Sequence, residues 1–117
     1  MKKATFYTIN YDNASNTYFI KRVSGYYFPE YDAYVEKYQK YWFATDAKTG
    51  MTMSGGDAKL SYLLELLPAF ASRRNDRTKT PEYKQHCKTF ARMVAEYESQ
   101  EFDNMLHGGI LTGTEGQ

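Results

Sequence analysis

Two β-type runs at the N-terminus of the 117-residue chain are separated by a dense cluster of turn-forming residues. In the first run, Tyr7, Ile9 and Tyr11 recur at every second position, which is typical of a strand with one apolar face. Residues 12–16 read Asp-Asn-Ala-Ser-Asn, and such side chains bond to their own backbone in turns. A second β-type run follows over residues 17–23, so the sequence predicts an N-terminal β-hairpin.

The segment around Pro29 fits either a helix or a strand. Tyr31, Tyr34 and Tyr38 recur at helical spacing, and a proline is well suited to the first turn of a helix. Tyr34 and Tyr38 also share one face when the segment is interpreted as a strand. We expect a short helix near residues 30–38, with a strand as the alternative.

A second strand–turn–strand pattern follows. Residues 41–45 are apolar and β-prone, and residues 46–50 end in Gly50, where a hairpin turn needs a left-handed residue. Residues 51–53 return as a strand. Together with the first hairpin, this pattern predicts an antiparallel sheet of about four strands in the N-terminal half.

Two helices are expected in the C-terminal half. The first should begin after Asp57, a suitable N-cap, and should kink or end at Pro68, which lacks an amide hydrogen. A polar loop is expected over residues 72–80. The apolar face of this helix consists of four leucines, Leu60, Leu63, Leu64 and Leu67.

The second helix has a strong start signal at Thr80-Pro81-Glu82: a capping hydroxyl, a proline in the first turn and an acid near the positive end of the helix dipole. It should run to about Leu106. The predicted fold class is therefore α+β, with residues 1–107 forming a single domain and residues 108–117 a flexible C-terminal tail.

Composition narrows the class of protein. The single cysteine, Cys87, rules out an internal disulfide, and no stretch approaches the roughly 20 apolar residues of a membrane span. The N-terminal Met-Lys-Lys leads into alternating residues, which does not resemble a secretory signal. We expect a cytoplasmic protein of the host cell cytosol that does not bind membranes.

The sequence offers no set of residues suited to catalysis. His86 and Cys87 are adjacent, and neighbours on a helix point in different directions, so they form a poor base–nucleophile pair. The Ser54-Gly55-Gly56-Asp57 turn lacks the spacing of a phosphate loop, and its acid would repel an anion. We expect no enzyme activity, metal site or cofactor.

Charge is unevenly distributed, although the net charge is only +1. Residues 73–92 contain seven basic and two acidic side chains, whereas acids accumulate beyond Arg92. Such a basic band suits nucleic-acid phosphates or an acidic protein surface. The predicted partner- or nucleic-acid-binding residues are Arg73, Arg74, Arg77, Lys79, Lys84, Lys88 and Arg92.

Aromatic residues are the other uneven feature. Residues 1–45 contain fourteen of the twenty aromatics in the chain. A small sheet cannot bury all of them, so we expect some tyrosine rings at the surface, where they are favoured anchors for partners.

Residues 40–56, KYWFATDAKTGMTMSGG, resemble the strand–turn–strand segment of small accessory proteins carried by Gram-positive phages and other mobile elements. Anti-CRISPR proteins, which bind a Cas nuclease or interfere with its guide RNA, are among them. The resemblance implies an inhibitor or adaptor that binds a host protein or ribonucleoprotein. A module that binds RNA or DNA directly through residues 73–92 is the alternative.

Overall fold

Within residues 2–108, which the computed structural model describes, five strands form one antiparallel sheet in chain order and two helices follow. The α+β prediction is confirmed, with one strand more than the four expected. The predicted tail lies outside the described residues except for Gly108. The elements are β1 (Lys2–Asp12), β2 (Thr17–Phe28), β3 (Ala33–Tyr38), β4 (Tyr41–Asp46), β5 (Thr52–Asp57), α1 (Leu60–Arg77), α2 (Pro81–Asp103) and a final π-helical turn (Asn104–Gly108).

The N-terminal hairpin is confirmed and is long. β1 and β2 pair without interruption from Lys2 opposite Tyr27 to Asp12 opposite Thr17. In the turn, the Asp12 carboxylate accepts hydrogen bonds from the Ala14 amide at 3.0 Å and the Ser15 hydroxyl at 2.9 Å. The predicted turn chemistry therefore sets the register of the first two strands.

The helix expected near residues 30–38 is wrong, because the chain makes a turn and then forms β3. Asp32 adopts a left-handed backbone (φ 48°), and its carboxylate accepts a hydrogen bond from the Tyr27 hydroxyl at 2.7 Å. After this turn, Val35 pairs with Tyr26 on one side and with Ala44 on the other. Pairing with a strand on each side outweighs the helical spacing of the tyrosines.

The helices cover one face of the sheet. Val35 and Ala44 are fully buried there against Leu63 and Leu67 of α1. On the opposite face, the Phe6 ring stacks on Tyr34 at a centroid distance of 4.1 Å. Each strand thus places side chains in two different environments.

The sheet is strongly curled. The Ile9 amide at the outer edge of β1 donates a hydrogen bond to the Gly50 carbonyl in the β4–β5 turn at 2.9 Å. Gly50 has a φ of 69°, as its predicted position in the turn requires, and it lies against the Phe90 ring of α2. This turn therefore joins the curled sheet to the second helix.

The first helix begins later and ends later than expected. Asp57 is not its N-cap, because Asp57 is held in β5 opposite Trp42 and the helix begins after Lys59 without a side-chain cap. Pro68 lies inside α1 and does not end it, and residues 72–77 are helical rather than a loop. Burial of Leu67 and Ala71 helps to offset the cost of about 3 kcal/mol for an internal proline.

The second helix follows the prediction closely. The Thr80 hydroxyl accepts a hydrogen bond from the Tyr83 amide at 3.2 Å, which caps the helix at the residue expected. Helical backbone continues past Asp103 into the π-helical turn, so the expected end near Leu106 falls within the last turn. Neither helix in the described range is long and apolar enough to cross a membrane.

Candidate partner-binding surface

Arg74 is buried, so it cannot contribute to surface attraction as the sequence predicted. Only 6% of the residue is exposed. One guanidinium nitrogen, Nη1, donates to Asp46 Oδ1 at 3.0 Å and to the Asp32 carbonyl at 2.9 Å. The other, Nη2, donates to the Tyr31 carbonyl at 2.6 Å. Arg74 lies one turn beyond Ala71 on the buried stripe of α1, which directs it into the protein interior.

The partner carboxylate of Arg74 is equally buried and fully bonded. Asp46 Oδ2 accepts from the Thr49 hydroxyl at 2.9 Å and from the Tyr83 hydroxyl at 2.7 Å. Burial, together with this hydrogen bond, raises the pKa of Tyr83. Arg74, Asp46 and Tyr83 form what we call the Arg74–Asp46 node, which ties α1, α2 and the β4–β5 turn together. The node is structural.

The other six cations remain at the surface. We call them the helical cation surface: Arg73, Arg77, Lys79, Lys84, Lys88 and Arg92. All six are exposed, and the two helices that carry most of them are joined by residues 78–80 alone. The basic band predicted from the sequence is therefore an exposed feature, apart from Arg74.

The α1 part of the helical cation surface combines charge with apolar area. The Arg73 guanidinium lies 5.0 Å from the centre of the Phe70 ring. Arg73 and Arg77, one turn apart, border a shallow cleft of about 350 Å³ with Phe70 and Met53. Arginine beside aromatic and methionine side chains is a combination enriched in protein interfaces.

The α2 part is a row of cations on the outer side of the helix. Lys84, Lys88 and Arg92 follow one another at four-residue spacing, about 6 Å apart along the helix axis. Arg92 is paired with Glu96 at 3.4 Å, but both side chains are about two-thirds exposed, so the pair is weak. Among the described residues, the other five members of the helical cation surface make no ion pair.

The acids near the end of α2 have a structural use that the sequence did not reveal. Glu101 pairs with Arg22 of β2 at 2.7 Å. The Glu98 carboxylate accepts a hydrogen bond from the Tyr7 hydroxyl at 3.0 Å, and burial and this carboxylate raise the pKa of Tyr7. The acidic end of α2 thus contacts the N-terminal hairpin, which accounts for acids at a helix C-terminus, where the helix dipole disfavours negative charge.

Several aromatic rings reach the surface, as predicted. Tyr11 and Tyr18 meet edge to face near the hairpin turn, at a centroid distance of 4.9 Å, and Tyr18 is 62% exposed. Tyr38 and Tyr41 are exposed beside the β3–β4 turn. Sequence reasoning missed further exposed apolar residues on the helices, namely Tyr62, Leu66, Phe102, Met105 and Leu106.

A second positive surface, also missed, surrounds the half-buried side chain of Trp42. Lys37 lies opposite Trp42 in the β3–β4 hairpin, with its Nζ 5.9 Å from the centre of the Trp42 ring. Lys3 of β1 and Tyr26 of β2 line the same cleft of about 530 Å³, which we call the Trp42 cleft. Its residues come from four strands and are dispersed in the sequence. Interpreting residues 33–38 as a strand would have placed Lys37 beside Trp42.

Neither residue considered for catalysis, Cys87 or His86, lies in an environment that would activate a nucleophile. Cys87 is partly buried, and burial followed by the nearby Asp46 carboxylate raises the pKa of its thiol. A nucleophilic cysteine needs the opposite shift. His86 is exposed. Within residues 2–108, no three His, Cys, Asp or Glu side chains are grouped so that they could hold a metal ion.

Comparisons of the chain with protein-family models, with curated proteins and with solved structures found no match. The resemblance of residues 40–56 to phage accessory proteins stays a prediction.

Proposed function

We propose that the protein is a small non-enzymatic inhibitor or adaptor that binds a host protein or ribonucleoprotein in the host cell cytosol. Its most concrete form is an anti-CRISPR protein that blocks a Cas nuclease or its guide-RNA assembly. The observation that carries the proposal is the helical cation surface, five of whose six members make no ion pair among the described residues. An anionic partner would complement it.

The two parts of this surface have different roles in the proposal. Lys84, Lys88 and Arg92 are exposed along α2, so they act mainly on the rate of association through long-range attraction. Arg73 and Arg77 border a cleft with Phe70 and Met53, so they can be desolvated at the centre of a contact. Protein interfaces commonly combine a polar rim with a central part in which aromatic, methionine and arginine side chains are enriched.

A plasmid-interference assay tests the anti-CRISPR form. Expressed in a host whose CRISPR system targets a plasmid, the wild-type protein should restore transformation by that plasmid. The triple variant Lys84→Glu, Lys88→Glu, Arg92→Glu should not. No restoration by the wild-type protein against any CRISPR system of its native host would refute this form of the proposal.

A matched control separates a local surface from total charge. The triple variant Lys2→Glu, Lys40→Glu, Lys48→Glu makes the same change in net charge at three exposed positions outside the helical cation surface. It should restore transformation as well as the wild type does. Both variants should keep the circular dichroism of the wild type, because none of the six side chains is buried. Equal loss of transformation with both triple variants would show that the net charge of the protein, and not the position of the cations, determines its activity.

A second candidate function is direct binding of RNA or DNA through the same helices. The regular row formed by Lys84, Lys88 and Arg92 favours it, because cations in a row can follow a phosphate backbone. Affinity for a short RNA or DNA duplex should then fall steeply as salt rises. Absence of binding at low salt would refute this candidate.

A further inference from the structure

The Trp42 cleft opens where two neighbouring strands separate. β2 and β3 pair only from Phe28 opposite Ala33 to Tyr26 opposite Val35, although both strands continue beyond that point. The cleft lies past the last pair, between Ser24 of β2 and Lys37 of β3. Its volume of about 530 Å³ is sufficient for a group the size of a nucleotide.

The lining of the cleft is aromatic and positively charged. Part of Trp42 and part of Tyr26 pack against the core cluster, and both side chains also border the cleft. Lys3 and Lys37 are exposed at its rim and take part in no ion pair among the described residues. No acidic side chain lines the cleft in that part of the chain. A ligand that carries both a planar ring and negative charge would match every one of these features.

We propose that the Trp42 cleft binds single-stranded nucleic acid, with a base against the Trp42 ring and phosphates near Lys3 and Lys37. Positive charge beside an aromatic ring is the combination that single-strand binders use. The hydroxyl groups of Thr5 and Ser24 at the rim are available for hydrogen bonds to the ligand. A duplex hides its bases in the stack, and an acidic peptide offers no base to stack.

This inference does not rest on the proposed function. The Trp42 cleft lies among the strands and shares no residue with the helical cation surface. Its lysines come from β1 and β3, whereas the cations of the other surface come from the helices and their connection. The two surfaces can therefore be disabled separately, and failure of one proposal leaves the other standing.

The single tryptophan of the chain makes the test direct, because all tryptophan fluorescence reports on this cleft. Titration with an unlabelled uridine decamer at low salt should quench the emission. The binding constant should fall with salt with a logarithmic slope of about −1.4, as expected for two phosphate contacts on a single strand. No quenching would overturn the proposal, and so would equal quenching by uridine monophosphate or by polyglutamate.

Variants test the role of each group, with binding followed by the anisotropy of a labelled uridine decamer. Trp42→Leu should weaken binding roughly 5- to 150-fold through lost stacking, whereas Trp42→Phe should keep part of it. Because Trp42 also contacts the core, thermal melts must show that the variants are folded. The exposed pair Lys3→Glu, Lys37→Glu tests the cleft without touching the core.

The matched control for this pair is Lys40→Glu, Lys48→Glu, which makes the same charge change at two exposed positions outside both surfaces. The Lys3, Lys37 variant should lose at least about tenfold in affinity for the decamer, and the Lys40, Lys48 variant should lose clearly less. Equal losses in the two variants would show non-specific attraction and overturn the assignment of the cleft.

Discussion

Replacing Arg74 by methionine should destabilise the fold strongly, because its guanidinium is the ion-pair partner of a buried carboxylate. Asp46 and Arg74 have side chains that are only 3% and 7% exposed, respectively. Methionine keeps most of the apolar stem of arginine but removes the charge and every donor. Asp46 would then retain only neutral donors, among them the hydroxyls of Thr49 and Tyr83.

The expected size of the effect follows from the contacts that are lost. Removing one member of a buried ion pair costs about 3–5 kcal/mol. Arg74 also donates hydrogen bonds to the backbone carbonyls of Tyr31 and Asp32, and the Arg74→Met substitution removes both of these bonds. The neutral donors that remain on Asp46 limit the cost, so we expect a loss of about 4 kcal/mol in the free energy of unfolding.

Urea unfolding followed by circular dichroism and by Trp42 fluorescence would measure this loss. Arg73→Met is the matched control, because the same chemical change is made one position away on the exposed side of α1. The control should change stability by no more than about 0.5 kcal/mol. A cost for Arg74→Met below about 1 kcal/mol would refute the view that the Arg74–Asp46 node stabilises the fold.

Three further predictions concern single side chains near the node. Burial and a hydrogen bond to the Asp46 carboxylate raise the Tyr83 pKa above its ordinary value of about 10. The contribution of Tyr83 to the free energy of unfolding is therefore complete below about pH 10 and is lost as pH rises through the folded-state pKa. Urea midpoints above about pH 10 should accordingly fall more steeply in the wild type than in Tyr83→Phe. Gly50→Ala should lower the free energy of unfolding, measured in urea, by roughly 2–4 kcal/mol, because φ is positive at Gly50 and a β-carbon would overlap the Phe90 ring. Gly56→Ala is the control and should cost less, because φ is also positive there but the space around a β-carbon is open. The Cys87 thiol should react with a disulfide reagent at pH 8 at least about tenfold more slowly in the folded protein than in urea, because burial raises its pKa, and equal rates would contradict this.

Local chemistry explains which elements could be predicted from the sequence. The turn at residues 12–16 and the capped start at Thr80 depend on neighbouring residues, and both form as expected. β3 depends on Val35 pairing with Tyr26 of β2 and Ala44 of β4, which the spacing of its tyrosines does not reveal, so the helical spacing was misleading. Elements marked by local turn and capping chemistry were thus predictable, whereas β3, whose tyrosine spacing also fits a helix, was decided by its pairing with β2 and β4.

The misplaced end of the first helix also caused the error in the candidate site. Because Pro68 was expected to kink or end α1, Arg74 was assigned to a polar loop and grouped with exposed cations. On the continued helix, Leu67, Ala71 and Arg74 share one buried stripe. The Trp42 cleft escaped prediction for another reason, since its residues converge only when the sheet forms. Charge density along the chain revealed the helical cation surface because its members are close in sequence.

The most direct measurement of the central claim is quantitative affinity capture from the native host, with and without nuclease treatment. The wild type and the Lys2, Lys40, Lys48 control should enrich the same partner. The Lys84, Lys88, Arg92 reversal should reduce that enrichment at least about tenfold, since three attractive contacts become repulsive. Persistence after nuclease treatment would identify a protein partner, and loss after it a partner held through RNA. Equal enrichment by all three forms would contradict the claim that the helical cation surface binds an anionic partner.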